Sequence, residues 1–275
     1  MKAMGIGTIG SDPELSVWTE DGNPAMVCGL LGGTKQKPKR AGKCGHYQED
    51  NVNAEINPAP SKDPMEVADN ILQLKEIVAN KLAKHNLVVK PIPYLVYPTN
   101  TVFPEAARRA GCDPDYNAYT RKENPAPTLG WGRSAGGHLL MEVPRSVDLA
   151  LFVKTADLVI GVACAYHDKD KQRQALYGKA GSFRANIINN NVGVIEYRTP
   201  SNWWLRDEQT IRWMLKRWSG MLDYVELFKY DIPVINYQIK SYVGGEYRYD
   251  SYSNNLTEKS LFQRLYKHNL GVEIK

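Results

Sequence analysis

The sequence predicts an α+β fold built on an antiparallel or mixed sheet. Strand-like segments cluster in the first 60 residues and recur later, and a few long amphipathic helices separate them without regular strand–helix alternation. A chain of 275 residues, 43% of them hydrophobic and 24% charged, can bury a core without disulfides or metal ions. We therefore expect one domain over residues 1–275.

The N-terminal part of the chain predicts a hairpin followed by further strands. Residues Leu15–Thr19 alternate in polarity, Glu20–Pro24 has the composition of a turn, and Ala25–Leu31 predicts the returning strand. A basic run from Lys35 to Lys43 contains a proline and is typical of an exposed loop.

A long helix is predicted from residue 64 to about Lys84. Asp63 has the character of an N-cap, a proline follows at the first helical position, and Glu66 completes the pattern of a capping box. Five apolar residues fall on one helical face, which indicates that this helix covers a sheet: Ile71, Leu74, Ile77, Val78 and Leu82.

The middle of the chain predicts a strand over Leu87–Tyr97 and a short helix over Pro104–Arg109. Residues Cys112–Arg133 are rich in Pro, Asn, Asp and Gly, which is typical of a long irregular loop. Long loops in compact domains are often functional.

The second half predicts two strands and three helices. The strands are Gly137–Val143 and Val192–Thr199, and the helices are Ser146–Val159, Asp207–Tyr230 and Thr257–His268, the last preceded by the connecting segment Ser253–Leu256. Apolar residues recur with helical spacing along Asp207–Tyr230, which makes it the longest helix expected here.

Composition excludes several classes of protein. The formal charge of +5 arises from 35 basic and 30 acidic residues mixed along most of the chain, a bias too weak to predict nucleic-acid binding. No apolar run approaches the roughly 18 residues of a membrane span, and no basic-then-apolar leader follows Met1, so we expect the chain to stay inside the cell that makes it. The four cysteines form no Cys-x-x-Cys pair, which favours idle thiols in a reducing compartment.

Four acidic or histidine residues lie in strand-like segments: Glu14, Glu55, His138 and Glu196. An ionised carboxylate on a buried sheet face is costly unless it is paired or binds a metal ion. Carboxylates with an occasional imidazole suit Mg²⁺ or Mn²⁺. For each residue alone, a solvent-facing strand position is the competing interpretation, and spacing does not show whether the four segments are neighbours.

A second set of candidates is cationic. Lys179 and Arg184 lie in a stretch that contains Gly178 and Gly181, as expected for a clamp on phosphate oxygens, although a solvated basic turn has the same composition. Arg198 follows Glu196 by two residues, so in a strand both side chains point the same way. They could serve phosphate and metal together, or simply pair with each other.

Six segments occur together in one order between Gly10 and about Leu205. They are Gly10–Glu14, Gln48–Asn51 continuing to Glu55–Pro58, Gly111–Asp115, Ala135–His138, Tyr177–Arg184 and Glu196–Trp204. With these segments the chain resembles the phage carboxylate–amine ligases, also called type 2 amidoligases, of the superfamily of glutamine synthetase and γ-glutamylcysteine ligase.

The resemblance implies a fold and a set of site residues. The fold is a curved antiparallel sheet, or half-barrel, with helices on its convex side and the active site on its concave side. By position, Glu14, Glu55, His138 and Glu196 match metal ligands, and Asp12 and Asn51 match positions near the metals. Lys179, Arg184 and Arg198 match the residues that hold the nucleotide phosphates, and the catalytic set is Arg198, Arg184 and Glu196. Where relatives often carry a second histidine, this chain has Leu140.

The resemblance also implies an activity. It predicts a ligase that uses ATP and Mg²⁺ (or Mn²⁺) to join a carboxylate to an amine through an acyl phosphate, acting on small-molecule or peptide substrates in the cytoplasm of a phage-infected cell. Relatives range from small assemblies to large rings, so a homo-oligomer is compatible with the family. Two alternatives stay open. One is a phage structural or host-interaction protein that has lost catalysis, which the absence of the second histidine at Leu140 would favour. The other is a nucleic-acid-binding module that uses Lys35–Lys43.

Overall fold

The computed structural model describes residues 7–108, 115–127, 130–168 and 171–229. It is a mixed α+β structure in which antiparallel sheet curls into a half-barrel, which confirms the predicted fold class at this level. The predicted helix Thr257–His268 and the segment before it lie outside the described residues.

The described strands are short. In chain order they are β1 (Ile9–Ser11), β2 (Glu14–Thr19), β3 (Pro24–Ala25), β4 (Lys39–Arg40), β5 (Gly45–Asp50), β6 (Asn53–Pro58), β7 (Leu87–Lys90), β8 (Tyr94–Val96), β9 (Tyr116–Asn117), β10 (Gly132–Ser134), β11 (Leu139–Pro144), β12 (Ser182–Ile187) and β13 (Val192–Tyr197). Every pairing between them is antiparallel.

The helices are α1 (Pro64–Ala83), α2 (Leu149–Ala156), α3 (Val162–His167), α4 (Lys171–Leu176), α5 (Glu208–Ser219) and α6 (Met221–Phe228). Two short 3₁₀ turns cover Glu105–Ala107 and Asn202–Leu205, and a π-helical turn, Asp157–Gly161, joins α2 to α3. In the described part of the chain, no helix is both long enough and apolar enough to cross a membrane.

Two main sheets and a small two-stranded one make up the curved surface. One has the order β1-β11-β13-β12-β9, and the other has the order β3-β2-β6-β5-β4, with β7 also paired to β2. The sheets meet where β2 begins, since the backbone N–H of Glu14 donates to the carbonyl of Gly136 at 2.9 Å. This junction brings the start of β2 beside the start of β11.

The first hairpin is shorter than predicted. β3 covers only Pro24–Ala25, whereas the sequence predicts a strand to Leu31. The reason is Glu49, whose carboxylate accepts hydrogen bonds from the backbone N–H groups of Gly29, Leu31 and Gly32 at 2.7–2.9 Å. These contacts hold residues 29–32 in a turn, because a carboxylate satisfies converging amides better than a strand partner would.

Helix α1 is confirmed over almost its whole predicted length. Its N-cap is Asp63, whose side chain accepts a hydrogen bond from the backbone N–H of Met65. The capping box is incomplete, because Glu66 accepts a hydrogen bond from the Ser61 hydroxyl instead of from the Asp63 backbone. The predicted apolar face packs against β5, β6, β7 and α5.

Several predicted elements are interrupted by residues that break regular structure. The segment Leu87–Tyr97 forms two strands in different sheets, because Pro91 and Pro93 cannot donate ladder hydrogen bonds. The helix predicted over Asp207–Tyr230 is divided by Gly220 into α5 and α6. The helix predicted over Ser146–Val159 begins at Leu149 and continues through the π turn into α3.

The π turn places a buried carboxylate, Asp157, under the end of β13. Asp157 accepts hydrogen bonds from the hydroxyls of Tyr197 at 2.6 Å and Tyr119 at 2.8 Å, and Thr199 Oγ1 lies 3.2 Å away. Thr199 Oγ1 also lies 3.1 Å from the carbonyl oxygen of Lys179. This network joins the helical layer to the loop that carries Lys179. Burial raises the pKa of Asp157 to about 6, although these hydrogen bonds oppose the shift.

We expect the stability of the protein to depend on pH through Asp157. Between pH 3.8 and about 6 the folded state keeps a proton that the unfolded chain has lost, so this group's contribution to the unfolding free energy falls as pH rises. A shift of this size corresponds to about 3 kcal/mol. Urea unfolding of wild type and Asp157→Asn, measured from pH 4 to 7, should show the free energy of unfolding of the wild type falling relative to that of the variant, by up to about 3 kcal/mol, as pH rises. The exposed Asp223→Asn serves as control, and parallel curves for Asp157→Asn would contradict the assignment.

Candidate functional site

The predicted site residues lie on the face of the sheets that points away from the apolar core. Ala54 and Ile56 of β6 are fully buried in the core, so Glu55 between them points to the other face. The same alternation in β13 buries Ile195 and Tyr197 and turns Glu196 outward from the core. Because side chains alternate along a strand, both acids point away from the same core.

Cross-strand pairing fixes the neighbours of each acid. Glu14 of β2 pairs with Glu55 of β6, which also pairs with Gln48 of β5. Glu196 pairs with Arg184 on one side and with Leu140 on the other. Directly paired residues share a face. Leu140, Glu196 and Arg184 therefore lie side by side in one row across β11, β13 and β12.

Three side chains form a compact cluster that could hold a metal ion: Asp12, His138 and Glu196. One ligand atom from each lies within 4.8 Å of the other two. Nδ1 of His138 is 3.4 Å from Asp12 Oδ1 and 3.5 Å from Glu196 Oε1. Burial, followed by the charge of Arg198, lowers the pKa of His138 to about 4. The imidazole is therefore neutral, which is the form that ligates metals.

Two glycines before His138 explain the position of its ring. A Cβ on Gly136 would lie 2.5 Å from His138 Nε2, and a Cβ on Gly137 would lie 2.2 Å from the carbonyl oxygen of Ser201. Only glycine fits either place. Nε2 has no hydrogen-bond partner in the described part of the chain, so packing against Gly136 orients the ring.

The pair Glu14 and Glu55 lies next to this cluster but outside it. Glu14 accepts a hydrogen bond from Asn53 Nδ2 at 2.8 Å, and Glu55 accepts bonds from the amides of Gln48 and Asn57 at 3.1 and 3.0 Å. Asn53 thus contacts Glu14, whereas Asn51 lies in the tight turn between β5 and β6 with φ of 60°. Of the four predicted ligands, the structure brings His138 and Glu196 together and sets Glu14 and Glu55 beside them.

Burial, followed by the charges of neighbouring acids, raises the pKa values of the acids on this face. Burial, then the charge of Asp50, raises the pKa of Glu14 to about 8. Burial, then the charge of Asp12, raises the pKa of Glu196 to about 8 and that of Glu55 well above its usual value. Such mutual repulsion falls when a cation joins the set.

The donor set fits a hard divalent cation. Asp12 Oδ1 is buried and has no hydrogen-bond donor among the described residues, and its 3.4 Å separation from His138 Nδ1 exceeds an ordinary hydrogen bond. Adjacent ligand atoms of an octahedral ion held at about 2.1 Å lie about 3.0 Å apart. The observed separations of 3.4 and 3.5 Å therefore need only a small contraction to close around such an ion.

The predicted cations border the acidic face. Arg184 Nη1 lies 3.7 Å from Glu196 Oε2. Arg198, only 2% exposed, contacts both the carboxylate of Glu196 and the hydroxyl of Tyr177, and its Nε lies 3.5 Å from Asp115. Arg198 thus pairs with Glu196 and at the same time links it to Tyr177.

A cavity of about 500 Å³ opens beside these cations. Asp115, Tyr177 and Lys179 contribute polar groups to its wall, and the segment 125–127 and Leu176 contribute apolar surface. Lys179 is exposed and follows Gly178, where the chain requires glycine, since φ is 70° and an added Cβ would lie 2.5 Å from Nη1 of Arg173. The volume is typical of a small-ligand pocket.

Sequence reasoning missed several residues of this site. Asp50 contributes to the raised pKa values of Glu14 and Glu55, and Lys35 lowers those of Asp50 and Glu196. Tyr177 and Asp115 occur in two of the segments that carry the family resemblance, but the sequence indicates no role for either. Alternation in β5 would have placed Asp50 on the face of Gln48, but no local signal connects Lys35 to Glu196.

Comparison with known proteins adds no independent assignment. The chain matches no protein-family model and no curated protein with which it was compared.

We expect Gly136→Ala to weaken metal binding because the added Cβ displaces the His138 ring. Mn²⁺ titrations followed by electron paramagnetic resonance should show a loss of affinity of at least about tenfold, as for removal of a supporting contact of a ligand. Gly130→Ala is the matched control, since nothing lies within 4 Å of its Cβ position. Equal affinities for both variants, with native folding confirmed by circular dichroism, would argue against His138 as a ligand.

Proposed function

We propose that this protein is an ATP- and Mg²⁺-dependent carboxylate–amine ligase of the type 2 amidoligase family, with a glutamine synthetase-like arrangement whose helices cover the convex side. One observation carries the proposal. Glu196 lies between the neutral His138 with Asp12 on one side and Arg184 with Arg198 on the other, and Arg198 also contacts Tyr177, which lines a cavity of ligand size.

This arrangement suits a reaction between two anions, the substrate carboxylate and the triphosphate of ATP. At 4 Å, two unit charges repel by about 4 kcal/mol at an effective dielectric constant near 20, and a triphosphate carries several. Magnesium bound at the acidic cluster would supply the positive charge that brings a carboxylate and the triphosphate together. Arg184 and Arg198 flank the same point and would stabilise the phosphoryl group during transfer.

The cavity supports a role in nucleotide binding. Lys179 on its wall would hold phosphate oxygens, and the apolar segment 125–127 would pack against the base. Asp157 acts indirectly, because the Thr199 contact ties the backbone of Lys179 to the helical layer. Arg198 borders both the cavity, through Tyr177 and Asp115, and the acidic cluster, through Glu196.

The proposed reaction has two steps. An oxygen of the substrate carboxylate attacks the γ-phosphorus of ATP, and ADP leaves with the electron pair of the broken P–O bond. The amine nitrogen then attacks the acyl carbon, phosphate leaves with the electron pair of the C–O bond, and the nitrogen releases its proton to solvent. The reaction requires that water be kept from the acyl phosphate, because water would hydrolyse it.

A second candidate is a protein of the same fold without catalytic activity. It is favoured by Leu140, whose apolar side chain occupies the row of Glu196 and Arg184 where related enzymes often have histidine. Calorimetry with ATP and Mg²⁺ separates the two candidates, because a site that has lost catalysis and nucleotide binding gives no heat of binding.

We expect ADP and phosphate to be released only when both an acid and an amine are present with ATP and Mg²⁺. Glu196→Gln should reduce this turnover by at least about a hundredfold, because it removes charge from the metal cluster and the partner of both arginines. Glu20→Gln, an exposed site on the first turn, should leave turnover unchanged. Undiminished turnover by Glu196→Gln would exclude Glu196 from the active site.

We expect Lys179→Met to weaken ATP binding by about tenfold while the apparent affinity for Mn²⁺ alone is unchanged, because the lysine contacts phosphate and not the metal cluster. Fluorescence titration with a labelled ATP analogue measures the first quantity. Lys84→Met, at the exposed end of α1, is the control. Equal nucleotide affinity in both variants would place the phosphates elsewhere.

A further inference from the structure

One exposed segment of the chain is basic and contains no acidic residue. No aspartate or glutamate occurs from residue 22 to residue 48, whereas five cations occur between residues 35 and 43. All five are exposed: Lys35, Lys37, Lys39, Arg40 and Lys43. Within the described residues, none of the five makes an ion pair shorter than 4.0 Å. We call residues 35–43 the basic segment.

The basic segment joins the site face through strand pairing. Arg40 of β4 pairs with His46 of β5, and His46 pairs with Asn57 of β6. His46 and Asn57 lie two residues from Gln48 and Glu55, so they share the face of those residues. Arg40, His46 and Asn57 therefore form a row of hydrogen-bonding groups beside the row that contains Glu55.

Lys35 acts electrostatically on acids of the site. Its charge reaches both Asp50 and Glu196, which belong to different sheets. The backbone before it is ordered, because Glu49 holds the amides of Gly29, Leu31 and Gly32, and Thr34 and Lys37 exchange backbone hydrogen bonds at 3.1 and 2.9 Å. The cations thus lie on a structured rim of the acidic face.

We propose that the basic segment, with the row Arg40, His46 and Asn57, binds an acidic peptide, so that the carboxylate substrate of the proposed ligase is one group of a polyanionic chain. That the bound peptide is a substrate rests on the proposed ligase function. A peptide lying along this row would bring one carboxylate towards Glu55 and Glu196, while its other carboxylates meet the exposed cations.

The composition of the basic segment favours an acidic peptide over a nucleic acid. Single-stranded nucleic acids are usually bound by exposed aromatic rings that stack on bases as well as by cations. The basic segment contains no Phe, Tyr or Trp, and the ring nearest to it in sequence, Tyr47, is 5% exposed and packs in the core. Carboxylates need only charge and the donors of arginine, lysine and an asparagine amide.

The test measures binding of a fluorescein-labelled oligoglutamate to the full chain by fluorescence anisotropy at low salt. The triple variant Lys37→Gln, Arg40→Gln, Lys43→Gln should bind at least about tenfold more weakly, and the affinity of the wild type should fall as salt rises. The triple variant Lys62→Gln, Lys84→Gln, Lys216→Gln makes the same change in net charge at exposed sites elsewhere and should keep the affinity of the wild type. Thermal unfolding checks that both variants are folded.

Three results would overturn the inference: no binding of oligoglutamate, equal weakening in both triple variants, or tighter binding of an oligothymidylate of the same charge, which would indicate a nucleic-acid surface. Failure of the ligase proposal is distinguishable. Specific oligoglutamate binding without ATP turnover leaves the surface valid and refutes the ligase. If the wild type does not bind oligoglutamate, and the first triple variant turns over small monocarboxylates as fast as the wild type does, the peptide-binding surface is refuted. The ligase proposal then stands.

Discussion

The burial of several carboxylates close together, on the side of two adjoining sheets that points away from the core, is the constraint on which the site depends. Glu14, Glu55 and Glu196 are held there by strand register, and none can turn away without placing a core residue in solvent. Burial and neighbouring charges raise all three pKa values, so the face favours either bound protons or a bound cation. Such a face is costly for stability alone and is typical of a site that binds positive charge.

The surrounding residues distribute charge around this face. Arg184 and Arg198 border it on one side, and Lys35 approaches it from the loop before β4. The buried network of Asp157 links the loop of Lys179 to the helical layer, so the position of a cation at the cavity depends on a carboxylate far from it in sequence. Rigid support of this kind is what precise positioning of phosphate requires.

Local patterns predicted the elements whose determinants are local. Helix α1 follows from its N-cap and apolar face, and β13 from its alternation, because both signals lie within the element itself. Strand β12 was not predicted, since its arginine and asparagine residues look like a turn unless Glu196 is known to lie beside Arg184. The sequence predicts a strand where Glu49 holds a turn for the same reason, because Glu49 is distant in sequence from the amides that it binds.

The sequence by itself determined which residue types were available and on which face of each strand they would point, since side-chain alternation is a property of the extended backbone. Residue type, local motifs and the family resemblance identified the candidates Glu14, Glu55, His138, Glu196, Lys179, Arg184 and Arg198. Only the tertiary structure decided that Asp12 joins His138 and Glu196, that Glu14 and Glu55 stand beside them, and that Lys35 faces the same acids. Those distances depend on the junction of two sheets and on cross-strand register, and long-range pairing of this kind leaves no periodic signal in the chain.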